Sequence, residues 1–176
     1  FTPYQTKGVI YNTDIYGEIY YNGTSFNDPY DFTTKSALMS ATFLIKEAGG
    51  QYFADGVMYY LTGVDGTDYA TKGQMNTPFT WEVQNSPVPT TTSTTKATTT
   101  STTTVPTGRT TFNGKDVNVG DKVTVTYYVQ TDKKCEDFDA HMTYGTKTIN
   151  PNGIELVSFT PYQTKGVIYN TDIYGE

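Results

Sequence analysis

The sequence predicts an all-β chain, a sandwich or barrel of many short strands. Three observations carry that expectation. Aromatic residues make up 15% of the 176 residues and charged residues only 17%, with 16 Tyr; such a mixture suits pleated, half-buried strands and not a helical bundle. Several segments alternate apolar and polar side chains with a period of two. Asn-Gly and Asp-Gly dipeptides fall between them at close intervals, as hairpin turns would.

Taken in chain order, residues 8–11 and 18–21 are short strand candidates, and Asn22-Gly23 is expected to turn the chain after the second. Residues 36–48 contain good helix formers. Yet Met39, Ala41, Phe43 and Ile45 alternate with Leu38, Ser40, Thr42 and Leu44, which predicts a central strand buried on both faces near its ends. Residues 51–54 and 57–61 read as two strands separated by Asp55-Gly56, with a further turn at Asp65-Gly66. Phe79, Trp81 and Val83 alternate along a strand that ends before a low-complexity tract. Beyond that tract come an Asn113-Gly114 turn, a strand over 122–130 with Val123, Val125, Tyr127 and Val129 on one face, and a strand with Phe138, Ala140, Met142 and Tyr144 inward. Asn152-Gly153 marks one more turn.

The chain repeats itself. Residues 1–18, FTPYQTKGVIYNTDIYGE, recur without substitution as residues 159–176, an offset of 158. The identity predicts a longer parent with a 158-residue period, of which this chain is one period plus 18 residues. Between the copies, residues 87–107 read PVPTTTSTTKATTTSTTTVPT. This tract has no apolar face with which to offset its ordering entropy, and Pro at each end favours extension. It is expected to be a linker over 87–109, reaching roughly 60 Å if extended. Its Thr/Ser/Pro composition suits O-glycosylation at Thr90, Thr91, Thr92, Ser93, Thr94, Thr95, Thr98, Thr99, Thr100, Ser101, Thr102, Thr103 and Thr104. Residues 1–86 then read as the C-terminal part of one repeat and residues 110–176 as the N-terminal part of the next. Each half would need the other's strands. Because the two 18-residue copies compete for one strand position, 1–86 is expected to be completed by 110–158 of another copy, head to tail.

The segments Val119-Gly120-Asp121-Lys122-Val123-Thr124-Val125, Phe138 to Tyr144 and Ile154-Glu155-Leu156-Val157-Ser158 resemble the opening strands of cohesin-type domains. Residues 37–46, ALMSATFLIK, are similar to a later strand of that family. Gly145-Thr146 after Tyr144 departs from its pattern. The resemblance implies an antiparallel jelly-roll sandwich of about nine strands, as in bacterial scaffoldins and cell-surface proteins whose domains are joined by Thr-rich linkers.

Charge and chemistry narrow the function. Lys and Arg number 12 against 18 Asp and Glu, a net charge of −6, the wrong sign for nucleic acid or anionic lipid. No apolar run approaches the roughly 20 residues of a membrane span. One Cys makes no internal disulfide, and one His leaves few parts for zinc or a catalytic triad. Asp137, Asp139 and His141 share a strand face, but a facial metal triad wants two His, so a polar solvent face is expected. Asp65-Gly66-Thr67-Asp68 lacks the spacing and the closing Glu of a calcium loop and reads as a surface turn. Lys133 and Lys134 beside Cys135 would lower its thiol pKa somewhat, although an isolated thiol is expected. Tyr20-Tyr21, Tyr59-Tyr60 and Tyr127-Tyr128 should each place one ring on either face of a strand; outward rings would stack on sugars or pack against neighbouring repeats. Asn22-Gly23-Thr24 is a glycosylation sequon that is read as a turn.

No enzymatic activity, cofactor or metal site is therefore expected. The expected role is a non-catalytic repeat module of an extracellular or cell-surface stalk or fibre, with other copies of the repeat as partners. The alternatives are a scaffoldin cohesin that binds dockerin-bearing proteins, and a polysaccharide-binding sandwich.

Overall fold

The computed structural model describes residues 16–71, 74–75, 80–86, 108–146 and 153–170. Twelve strands occur among them: β1 (Tyr16–Thr24), β2 (Ser36–Ile45), β3 (Gln51–Gly63), β4 (Asp68–Thr71), β5 (Gln74–Met75), β6 (Thr80–Ser86), β7 (Thr111–Phe112), β8 (Lys115–Asp116), β9 (Lys122–Val129), β10 (Cys135–Thr146), β11 (Ile154–Pro161) and β12 (Val167–Asn170). No helix is present among the described residues. The strands form two sheets, one ordered β12-β1-β10-β3-β4-β5 with β7 and β8 attached through β3, the other ordered β11-β2-β9-β6.

The alternating segments do what their period requires. Phe138, Ala140, Met142 and Tyr144 of β10 are buried, as are Val123, Val125, Tyr127 and Val129 of β9. Residues 36–45 are a strand and not a helix, held between β11 and β9, with Leu38, Met39, Ser40 and Ala41 all buried. Inward side chains of both sheets belong to one core. Phe43 of β2 meets Tyr144 of β10 with ring centroids 4.8 Å apart, joining the two layers.

Two expected turns are strand interior. Asp55 and Gly56 pair with Thr143 and Met142, so the two segments on either side of them merge into the 13-residue β3. The long partner β10 supplies a ladder along the whole length, and this tertiary pairing overrides the local turn preference. Asn22 and Gly23 likewise sit within β1, opposite Asp139 and Phe138. Gly23 is there for space: a Cβ would lie 2.6 Å from the Tyr30 hydroxyl and 2.8 Å from Phe138 and Val167. Asn113-Gly114 does turn the chain, with φ of 46° and 76° between β7 and β8. Gly66 does too, at φ 80°.

The two segments flanking the linker share the same sheets. β9 lies between β2 and β6, and β10 between β1 and β3. In this single chain the strands beyond the linker pair with those of 1–86, where completion by another copy was expected. The physical reason is proximity, since a tether of some twenty residues keeps the partner strands at a high effective concentration. Both copies of the duplicated 18-mer have described residues. The first contributes residues 16–18 to β1, while the second contributes 159–161 to β11 and 167–170 to β12. The strand candidate over 8–11 lies outside the described residues; its duplicate over 166–169 supplies most of β12.

Candidate functional site

Because Phe138, Ala140 and Met142 point into the core, Asp137, Asp139 and His141 face out from the centre of the larger sheet. His141 lies opposite Tyr20 on β1 and Val57 on β3. Its Nδ1 is 3.0 Å from Glu18 Oε1 and its Nε2 is 2.9 Å from Asp139 Oδ1. The three side chains are 12%, 9% and 20% exposed. Two tyrosine rings flank the imidazole, Tyr20 at 4.2 Å and Tyr59 at 4.3 Å between centroids.

A β-bulge brings Tyr59 there. The register of β3 on β10 slips between Asp139 and Ala140, with Tyr60 opposite Asp139 and Met58 opposite Ala140. Tyr59 and Tyr60 thus share the outer face, contrary to the expected alternation, because the extra residue of a bulge breaks the period of two. The other two pairs do alternate: Tyr21 and Tyr127 are buried, Tyr20 and Tyr128 half-buried.

The electrostatics follow from this enclosure. Burial alone would lower the His141 pKa, but hydrogen bonds to Asp139 and Glu18, with their charges, outweigh it and raise the imidazole to about 9. Burial would raise Glu18, yet hydrogen bonds from His141 and Tyr20 and the imidazolium charge hold it below the usual value. At neutral pH the ring is an imidazolium donating both N–H groups to carboxylates. It has no lone pair for general base catalysis or for a metal. No group of three His, Cys, Asp or Glu among the described residues is arranged to hold a metal ion.

The sequence singled out Asp137, Asp139 and His141; the structure joins the last two to Glu18 and gives Asp137 a separate partner, the Thr24 hydroxyl at 2.8 Å. Glu18 was visible only as a strand residue, because nothing local shows which residue a neighbouring strand will place opposite. Cys135 starts β10 fully buried, and burial pushes its thiol up to about 11. The expected lowering by lysines does not occur, since Lys133 is paired with Asp65 and Lys134 lies 3.9 Å from Asp31. Asp65 is a surface turn residue, held well below the usual carboxylate range by Lys133 and Thr67. The thirteen candidate O-glycosylation residues lie outside the described residues.

A second built feature is the seam where the second 18-mer copy crosses from one sheet to the other. β11 pairs with β2 as far as Pro161 opposite Met39, and β12 pairs with β1 from Val167 opposite Gly23 to Asn170 opposite Tyr20. Between them the backbone is held by buried phenols. The Tyr21 hydroxyl donates to Gln163 O at 2.7 Å and accepts from Gln163 N at 2.8 Å, and the Tyr30 hydroxyl donates to Lys165 O at 2.7 Å. Thr24 N donates to Gly166 O at 3.0 Å. Phe159 and Val167 pack against the core.

No protein-family model, curated protein or solved structure matches this chain.

Proposed function

We propose that this chain is a non-catalytic structural module of a tandem-repeat protein, a spacer in an extracellular stalk or fibre. The observation that carries this reading is the register of the second 18-mer copy on β1. β12 lies on β1 in the register that a hairpin would give if the second copy ran straight on into residue 19: Asn170 is motif position 12 and pairs with residue 20, while Val167 is position 9 and pairs with residue 23. One sandwich therefore corresponds to residues 110–176 continued by 19–86, a covalent unit in a 158-residue array. In that order the strands β9, β10, β11, then β12 with β1, then β2, β3 and, after the short β4 and β5, β6 step from one sheet to the other at each long connection. This supports a jelly-roll sandwich. An imidazolium closed in by two carboxylates serves as a pin between β1, which carries Glu18, and β10, which carries Asp139 and His141.

The test is an array made of residues 110–176, then 19–176, then 19–86, which holds two such units in covalent order. Single-molecule stretching should give two unfolding events of equal contour length. A single event, or a second that is not independent of the first, would sink the module reading.

A second reading has its own observation: the bulge gathers Tyr20, Tyr59 and the 40%-exposed Tyr60 beside Asp137 and Asp139 on one sheet face. An exposed ring beside hydrogen-bonding carboxylates suits stacking on a sugar. Retention on insoluble polysaccharide, lost in Tyr60→Ala, would favour it over the spacer.

A further inference from the structure

We propose that the seam carries a carbohydrate subsite, a polar hollow that takes one neutral sugar unit at the end of the sandwich remote from the linker. The hollow has a volume of about 230 Å³ and lies where the seam meets the β1–β2 connection and the start of β10, with Asp28, Asp31, Lys134, Tyr162 and Lys165 among the residues around it. Pockets that enclose drug-sized ligands run to roughly 300–1,000 Å³, so this one has room for a single ring and not for a peptide segment. Tyr162 N bonds to Leu38 O, near the start of β2. From Ser36 that strand runs about 30 Å to Ile45 at the linker pole.

The lining selects a neutral, hydroxyl-rich ligand. Asp28 is paired with Lys165, and Lys134 lies 3.9 Å from Asp31. Two acids and two bases leave no net charge to attract an ion of either sign, while their oxygens and ammonium groups supply acceptors and donors within one small space. The acceptors are fixed before a ligand arrives. Asp31 Oδ1 accepts from Thr33 Oγ1 at 2.6 Å and from Thr33 N at 3.1 Å, which together hold the carboxyl below its usual value and leave Oδ2 toward Lys134.

Tyr162 supplies the apolar surface. It is 47% exposed, although its backbone N donates to Leu38 O at 3.0 Å and its hydroxyl lies 3.3 Å from Ser40 Oγ. The side chain is thus anchored at both ends with much of its surface in water, ready for the C–H face of a sugar to stack on it. The Tyr21 and Tyr30 hydroxyls fix the backbone of Gln163 and Lys165 beside it. None of the lining residues belongs to the sheet face that carries Tyr20, Tyr59 and Tyr60, so this subsite and that face stand or fall separately, and neither depends on the spacer role. In a tandem array each module would present one such hollow, and weak single sites would act together.

The experiment titrates the isotope-labelled full chain with the methyl glycosides of glucose, galactose, mannose, xylose and N-acetylglucosamine, and with inorganic phosphate as the charged control, following backbone amide shifts. At least one glycoside should give saturable shifts confined to residues 28–31, 134 and 162–165, with a Kd of about 1–10 mM. Tyr162→Ala should weaken that binding about tenfold or more, while Tyr162→Phe, which keeps the ring, should stay within about threefold of the parent. Asp31→Asn, at an exposed position, should weaken it by about threefold or more, and it carries the test if Tyr162→Ala does not fold. No saturable shift with any glycoside, tighter binding of phosphate than of every glycoside, or unchanged binding in these variants would overturn the subsite. Shifts centred on residues 20, 59 and 60 would overturn it too, and would place the sugar on the sheet face instead.

Discussion

Removing the charge from His141 should make stability respond to pH in a way that no other group of the outer face can imitate. The folded imidazole is raised from 6.5 to about 9. A group whose pKa is raised by folding stabilises fully below its unfolded value, and that stabilisation is lost as pH rises through the folded value. At about 1.4 kcal/mol per pH unit the interval corresponds to roughly 3 kcal/mol, an upper figure because Glu18 shares the same interaction. Glu18 is shifted the other way, so its contribution is present above 4.5 and lost as pH falls below that. The wild-type chain should therefore exceed His141→Gln most between about pH 5 and 6.5, by about 2–3 kcal/mol. The gap should narrow steadily toward pH 9. Urea unfolding at half-unit pH intervals from pH 5 to 9 measures it. A difference that stays constant from pH 6 to 9 would show that the ring contributes packing alone and that the imidazolium pin is wrong.

Three further outcomes are expected. Gly23→Ala should destabilise by about 1–3 kcal/mol in thermal or urea unfolding, since its Cβ would meet Tyr30, Phe138 and Val167 at 2.6–2.8 Å; a neutral result would place Gly23 at a turn after all. Tyr30→Phe should cost about 1 kcal/mol by removing the donor to Lys165 O while keeping the ring packing on Phe32 and Phe138, and an unchanged midpoint would discount the seam hydrogen bond. Cys135 should react with a disulfide reagent at pH 8 only as fast as the chain opens, and rapid labelling of the native protein would contradict its burial.

What the sequence made legible followed from periodicity. Alternation placed the inward faces of β9 and β10, and it chose strand over helix for 36–45 even though Leu, Met and Ala are good helix formers. Local turn chemistry was reliable where nothing competed with it, at Asn113-Gly114 and Asp65-Gly66. It failed at Asn22-Gly23 and Asp55-Gly56, where long neighbouring strands continued the ladder through the dipeptide. The His141 cluster needed information of another kind. Asp139 and His141 were near each other in sequence, but Glu18 arrives through a pairing 123 positions away, and Tyr59 arrives through a bulge that no dipeptide marks. Register between distant strands is set by the whole core, so such sites are built where sequence patterns are silent.

The position of the linker ends gives the proposed array its geometry. Ser86, the last residue of β6, pairs with Lys122. Beside it, Asp121 and Gly120 bond to the backbone of Ile45, the last residue of β2. On the other side of the linker, Thr110 Oγ1 accepts from Gly49 N and Thr111 N donates to Gly50 O. Both attachment points thus flank the same short connection, residues 45–50, at one pole of the sandwich. In a tandem array the chain would leave each module at the pole where it entered, so modules would hang from the thread by one end and leave the opposite pole outward. Most of the span per period would come from the Thr/Ser/Pro tract, about 3.1 Å per residue when extended, and little from the sandwich. Force along such a thread enters through β6 and the chain leading into β7, the two elements nearest the shared pole. The seam and the His141 pin lie on strands that the thread does not pull first.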